Sequence, residues 1–289
     1  MGAFSMSENN LYSGQAAEAA SATEKNHKRI PFVPAEALGK LWRAIIEFDM
    51  LQPGDRILVG LSGGKDSMLL TAMLAEIRNY SPIPFDLACY TVNGMFDDHF
   101  PKDRLAEFCR HYGLEHYSDD VDIATAQKQS PEMSPCYTCA YFRRGATNRR
   151  AKELGFNKVA LAHHNDDAVE TFFMNVMTSG QLRTFLPVTH LTRTGITVLR
   201  PLLYYREYEI RSLVRKLGLE PIKNPCPFDG FTNRQSVKEH IRELNQRYPE
   251  VYEHLASAMR NAPGQELWPA KPADKEMRQK FRAFWQKNK

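Results

Sequence analysis

The stretch from Leu58 to Leu70, LVGLSGGKDSMLL, places the tightest constraint on how this chain can fold. A short apolar run empties into Ser62-Gly63-Gly64-Lys65-Asp66-Ser67, and an amphipathic segment begins with no spacer. The run suits a buried strand and the segment after it a helix. Two successive glycines let the backbone turn tightly and aim several N–H groups into one concavity, and the helix start adds its positive dipole end. The junction is predicted to be a cradle for phosphate. It is not a Walker loop, whose longer glycine spacing ends in Lys followed by Ser or Thr, because here Lys65 precedes Asp66.

The alternation continues along the chain. RILVGL, FDLACYTV, LEHYSDD, KVALAH and ITVLRPLL read as strands, and SMLLTAMLAEIRNY, Pro101 to Tyr112, RRGATNRRAKELGF and DAVETFFMNVMTSG read as the helices between them. Strands that alternate with helices predict an α/β fold, a Rossmann-like parallel sheet with helices on both faces. An amphipathic helix over Pro34 to Met50 precedes it, and helical segments from Arg206 and from Ser236 follow it. The expected organisation is a disordered leader over 1–28, an N-terminal helix over 29–55, a catalytic domain over 56–262 and a basic tail over 263–289, whose last part can form a basic amphipathic helix.

The totals exclude some classes. No apolar run approaches the roughly 20 residues that span a bilayer, and the N-terminus lacks the apolar core of a signal peptide, so the expected location is the cytosol. Five cysteines, an odd number, do not form a disulfide framework in a reducing compartment. The net charge of +4 permits a polyanionic partner without demanding one.

Two further constellations carry chemistry. In ALAHHNDDAVET a strand again runs into a helix, placing His163, His164, Asp166, Asp167 and Glu170 at the carboxyl edge of a parallel strand, where open α/β sheets put their ligands. In SPCYTCAYFRRG, Cys136 and Cys139 stand three positions apart, and Cys226 sits between two prolines in KNPCPFDG. Cys89 and Cys109 fall on apolar faces and are expected in the core. Three thiolates admit a zinc site completed by His163 or His164, a 4Fe-4S cluster with one open iron, or a redox pair. The basic pairs Arg143-Arg144 and Arg149-Arg150 follow the first two cysteines and are candidate nucleic-acid phosphate contacts or a solvated helix face. Tyr137, Tyr141 and Phe142 beside them suit base stacking or core filling equally.

The SGGKDS string resembles the pyrophosphatase loop of enzymes that split ATP between its α and β phosphates. Together with CYTCAYFRRG, LAHHNDDAVET, RPLLYYRE and a lone Pro-Cys in the same order, it makes the chain similar to the tRNA-cytidine 2-sulfurtransferase family of PP-loop ATP pyrophosphatases, from about Phe48 to Asn261. The resemblance implies an adenine-nucleotide α-hydrolase-like fold and an enzyme that uses ATP to activate the C2 oxygen of an anticodon-loop cytidine, then replaces it with sulfur from a cysteine desulfurase. It also implies that Ser62, Gly63, Gly64, Lys65 and Ser67 hold the phosphates, that Asp66 acts through the helix start or Mg2+, and that the adenine meets the backbone at Val92. His163 would stand beside the phosphates, Asp166 or Asp167 would bind Mg2+, and Cys136, Cys139 and Cys226 would hold a 4Fe-4S cluster in a homodimeric protein. Two segments depart from the family pattern: NGMFDD after the second strand, and CPFDGFTN after the third cysteine. Rival readings are a PP-loop enzyme acting on another base or a small molecule, and a non-catalytic nucleotide- or tRNA-binding module with a structural metal.

Overall fold

The computed structural model describes residues 33–97, 99–129, 132, 134–222, 233–260 and 273–286. The strands are β1 (Asp55–Gly60), β2 (Phe85–Asn93), β3 (Glu115–Asp120), β4 (Lys158–Ala160), β5 (Val188–Leu191) and β6 (Ile196–Leu199). They form one sheet in the order β3-β2-β1-β4-β6-β5, parallel throughout except for the β5–β6 pair at one edge. Chain order reverses between β1 and β4. Sheets of this kind bind ligands in the crevice outside the carboxyl ends of the strands at such a switch point.

The described helices are α1 (Ala35–Glu47), α2 (Lys65–Arg78), α3 (Lys102–His111), α4 (Ile123–Gln129), α5 (Pro135–Glu153), α6 (Asn165–Ser179), α7 (Glu207–Lys216), α8 (Asn233–Arg247), α9 (Val251–Ala258) and α10 (Asp274–Gln286). Side chains alternate across each strand, so β1 sends Ile57 and Val59 to one face of the sheet and Leu58 to the other. On the first face α2 is buried almost all round, from Met68 to Ile77, because α1 and α7 cover the side turned away from the strands. On the second face Ala151 of α5 and Phe156 meet Leu58, Ala88, Tyr90 and Val159. The predicted parallel sheet with both faces covered is the one observed.

Elsewhere the structure departs from the expected elements in informative ways. The helix read as starting at Arg143 begins eight residues earlier at Pro135, so Cys136 and Cys139 lie in its first turn and not in a loop. Proline is well suited to that first helical position. The strand expected over KVALAH pairs for three residues only, releasing 161–164 to the site. The antiparallel strand β5 and the helix α4 were not anticipated, being short and weakly patterned. Pro249 divides the long C-terminal helix into α8 and α9. The tail does contain the basic amphipathic helix, α10.

At the opposite edge of the sheet a buried ion pair joins the two strands that flank the switch point. The Lys158 ammonium donates to Asp55 Oδ2 at 2.6 Å and to the Met50 carbonyl at 2.9 Å, while Asn157 Nδ2 donates to Asp55 Oδ1 at 2.9 Å. Removing one member leaves the other charged and desolvated, which typically costs about 3–5 kcal/mol. Lys158→Met should therefore lower stability by about 3 kcal/mol in urea unfolding, and adding Asp55→Asn should recover part of the loss. Equal stability of Lys158→Met and wild type would refute this role.

Candidate active site

The loop after β1 is shaped by its own side chains. Gly63 has φ of +81°, and a Cβ there would come within 3.1 Å of Ile222 Cδ1, so both backbone conformation and space require glycine. The Ile222 N–H donates to the Gly63 carbonyl at 2.8 Å. Ser67 Oγ accepts the Ser62 N–H at 3.1 Å and donates to the Gly64 carbonyl at 3.0 Å, and Ser62 Oγ accepts the Gly64 N–H at 3.3 Å. Gly64 caps α2 with extended backbone. Lys65, the first helical residue, donates from Nζ to Asp66 Oδ2 at 3.0 Å and lies 3.4 Å from Glu207 Oε1. Burial pulls the Lys65 ammonium down, but Asp66 and Glu207 outweigh it and hold its pKa above the usual lysine value. Asp66 Oδ1 is buried without a hydrogen-bond partner, 3.8 Å from His164 Nε2, and so has capacity to bind a cation.

Across the switch point, 161–164 lead from β4 into α6. The His164 N–H donates to Asp167 Oδ2 at 3.0 Å, a capping contact. Asp166 accepts the Glu207 backbone N–H at 2.8 Å and Arg206 Nε at 3.2 Å, so both its oxygens are engaged in tying α6 to α7. Asp167 Oδ1 accepts from Arg234 Nη1 of α8 at 3.3 Å. The buried His164 ring lies among three carboxylates: Nε2 is 3.5 Å from Asp167 Oδ2 and 3.8 Å from Asp66 Oδ1, and Nδ1 is 3.7 Å from Asp166 Oδ2. His163 turns instead toward Phe185, ring centroids 5.1 Å apart, and burial pulls its pKa down to about 4, which makes it neutral at physiological pH.

The structure thus brings Ser62, Gly63, Gly64, Lys65, Asp66 and Ser67 together with His164, Asp166 and Asp167. Val92 lies half-buried near the end of β2, paired with Asp119. Beyond it Met95, in the divergent NGMFDD, has φ of +56° and an exposed side chain at the same edge. Sequence reasoning missed Arg206, Glu207, Arg234 and Lys238 as parts of the site. RPLLYYRE contained a usable signal for the first two, since a helix that starts directly after β6 must begin at the same edge.

Cys136 is exposed and Cys139 partly so, on the first turn of α5. A spacing of three residues sets both on one helix face, and a helix N-terminus favours thiolate over thiol. The pair therefore fits as part of a thiolate set. Cys226 lies outside the described residues. The chain on either side of its segment touches the site, through Ile222 on Gly63 and Arg234 on Asp167. Cys89 and Cys109 are fully buried, as expected, and burial together with their mutual contact raises the Cys89 thiol pKa well above its usual value. Among the described residues, no three His, Cys, Asp or Glu side chains gather as a metal set.

The four arginines of α5 do not form one patch. Arg149 and Arg150 face Glu153, and Arg150 also approaches Asp119 at 3.7 Å. Arg143 is half-buried. Arg144 is exposed, and burial first and the nearby charge of Arg144 second bring the Arg200 pKa down to about 10. Arg200 in turn stands over the Phe185 ring at 5.1 Å, so the charge of α5 reaches the His163 side of the site. Tyr137, Tyr141 and Phe142 are exposed, which excludes them from the core.

Comparison with known proteins agrees with this geometry. The PP-loop domain family matches residues 38–244. The tRNA-cytidine(32) 2-sulfurtransferase of Dechloromonas aromatica (strain RCB) is 36% identical over 228 residues, covering 77% of this chain and 78% of that protein. That of Pelobacter propionicus (strain DSM 2379 / NBRC 103807 / OttBd1) is 32% identical over 253 residues, covering 85% and 92%. Among solved structures, the U34-tRNA thiolase NcsA from Methanococcus maripaludis with its [4Fe-4S] cluster superposes with a TM-score of 0.65 at 22% identity, covering 81% of this chain and 84% of that one, a likeness of fold.

One acid near the site titrates at an unusual pH. Burial raises the Glu170 pKa to about 7, Asp167 adds to the shift, and Arg234, 3.9 Å away, opposes it. A carboxyl with a raised folded-state pKa favours the fold below its unfolded value, and that contribution is lost as pH rises through 7. Glu170→Gln should therefore gain on wild type as pH rises, melting on the order of 5 °C higher at pH 8 and with little difference at pH 4. Melting curves that run parallel at all pH values would show that Glu170 is ionised throughout.

Proposed function

The chain belongs to the PP-loop family together with the tRNA-cytidine(32) 2-sulfurtransferases, and on that premise we propose that it is an ATP-dependent tRNA sulfurtransferase that makes 2-thiocytidine. The observation that carries the reading is the loop itself: a glycine-shaped anion cradle at the switch point, with Lys65 at its mouth and Asp66 Oδ1 unpartnered beside it. The cytidine C2 oxygen attacks the α-phosphorus of ATP, pyrophosphate leaves, a sulfide then attacks C2, and the original oxygen departs with AMP. Adenylation is needed because a bare carbonyl oxygen is a poor leaving group and a phosphate ester a good one.

The residues divide this work. The Gly63 N–H and the Ser62 hydroxyl donate to the phosphate oxygens, Gly64 and Ser67 brace the turn through their bonds to the Ser62 hydroxyl and the Gly64 carbonyl, and Lys65 neutralises charge on the leaving pyrophosphate. Magnesium prefers one or two carboxylates plus phosphate oxygens, and the open Asp66 Oδ1 makes Asp66 its first ligand. Asp167, on the other side of His164, is the second candidate, while Asp166 serves as the clamp between α6 and α7. His164, whose Nε2 lies 3.8 Å from Asp66 Oδ1, takes the place beside the phosphates that the sequence suggested for His163, and the neutral His163 ring packs on Phe185 behind it. The adenine lies at the Val92 edge.

Cys136, Cys139 and Cys226 would hold a 4Fe-4S cluster, whose open iron would bind sulfur at the sulfide level, the persulfide sulfur of a cysteine desulfurase reaching that level with two electrons from an external reductant. The first two cysteines stand near the N-terminal end of α5, and the exposed Tyr137, Tyr141 and Phe142 beside them offer stacking faces to an extruded base. Arg143 and Arg144 fit tRNA phosphate contacts better than Arg149 and Arg150, which face Glu153. The protein works as a cytosolic homodimer.

Mass spectrometry of tRNA nucleosides from cells with and without the gene tests the reaction. 2-Thiocytidine should vanish on deletion, return with the wild-type gene and stay absent with Asp66→Ala; an unchanged nucleoside profile would refute the assignment, and loss of a different thiolated base would redirect it. The protein purified without oxygen should be brown, with about four irons per chain. Cys136→Ala, Cys139→Ala and Cys226→Ala should each bleach it, and Cys89→Ala should not. Stoichiometric zinc in iron-replete preparations would overturn the cluster.

A further inference from the structure

One carboxylate at the mouth of the phosphate loop holds three cations. Glu207 is the first residue of α7; its Oε1 accepts from Arg211 Nη2 at 2.8 Å and lies 3.4 Å from Lys65 Nζ, and its Oε2 accepts from Lys238 Nζ. The three come from three places: Lys65 from the loop, Arg211 from one turn along α7, and Lys238 from α8. Among the described residues, the other carboxylate paired with any of them is Asp66, on Lys65. Within these direct pairs three cations share two carboxylates.

Apolar packing does not need this cluster. Val237 and Ile241 of α8 are buried against Val169 of α6 and Tyr252 of α9, and Ile210 and Val214 of α7 join the main core. Lys238 points away from that apolar contact toward the loop and keeps 21% of its side-chain surface, while Lys65 keeps 29%, so solvent and a small anion can reach both. A lysine serving only as a staple between α7 and α8 would have no reason to share its carboxylate with the phosphate loop.

We propose that Lys238 and Arg211 complete the phosphate site, holding the outer phosphates of ATP and then the departing pyrophosphate, and that Glu207 is an intramolecular stand-in for that anion which yields when it binds. The inference rests on the nucleotide reading of the loop given above. A carboxylate offers one negative charge to the cations around it, whereas pyrophosphate with magnesium offers more oxygens and more charge in the same place, so exchange is favourable. Once bound, the anion bridges the loop to α8. Competition from Glu207 weakens the bound state, which suits a group that must leave in every turnover.

Titration calorimetry of the full chain with magnesium pyrophosphate, and with AMP as a probe lacking the outer phosphates, tests the proposal. Lys238→Met should weaken pyrophosphate about tenfold to a hundredfold, the range for one charge-assisted hydrogen bond, with Lys238→Arg recovering most of it. Glu207→Gln should act in the opposite direction and tighten pyrophosphate severalfold, with AMP unchanged in both. A purely structural cluster gives the same sign for both variants, and that result, or pyrophosphate affinity unchanged in Lys238→Met, overturns the proposal. If Lys238→Met does not fold, Glu207→Gln decides alone, tighter binding supporting the proposal and weaker or equal binding overturning it. Wild type that binds neither ATP nor pyrophosphate would bring down the nucleotide reading along with this one; wild type that binds both beside an unaffected Lys238→Met brings down this one alone.

Discussion

The polarity of a parallel sheet governs the rest of this structure. Strands that run in one direction must be joined by crossovers, and helices that follow such strands begin at the carboxyl edge. Here α2, α6 and α7 follow β1, β4 and β6, which are adjacent or separated by one strand, so three positive helix ends converge on one spot. Each carries acids in its first turn: Asp66 on α2, Asp166 and Asp167 on α6, Glu207 and Glu209 on α7. These carboxylates satisfy the orphan N–H groups and the dipoles without a ligand, as Asp166 does for the Glu207 N–H.

That arrangement makes an anion site selective by charge. Every carboxylate already present competes with an incoming anion, so a weakly charged one gains little. Under the proposed nucleotide reading, a polyphosphate with magnesium would bring its own cation to the acids and its own charge to Lys65, Arg211 and Lys238. Arg206 and Arg234 reinforce the same logic, since each pins one carboxylate of α6 to another helix.

The thiolate pair is built on the other face of the sheet. α5 covers the face that receives Leu58 and Val159, while α2 covers the face that receives Ile57 and Val59. The phosphate loop and the cysteine pair therefore sit on separate supports, on opposite faces of the sheet. Among the described residues Arg200 links them, feeling the charge of Arg144 and standing over Phe185 beside His163.

The α/β class, the loop and the HHNDD edge were legible in the sequence because each depends on residues adjacent in the chain. A strand, two glycines and a helix start need no distant partner to define an anion cradle, and alternating apolar runs declare a parallel sheet. The core positions of Cys89 and Cys109 followed in the same way from apolar faces. Partners far apart in sequence were not legible. Nothing local says that Glu207 meets Lys65 and Lys238, that Asp166 spends both oxygens on α7, or that Ile222 closes over Gly63. The helical start at Pro135 was missed because Cys-Tyr-Thr-Cys has weak helix propensity, and packing of Thr138 and the rest of α5 overrode it. Local geometry is written in neighbouring residues, whereas charge pairing depends on which helix ends the sheet order brings together, and only the tertiary fold decides that.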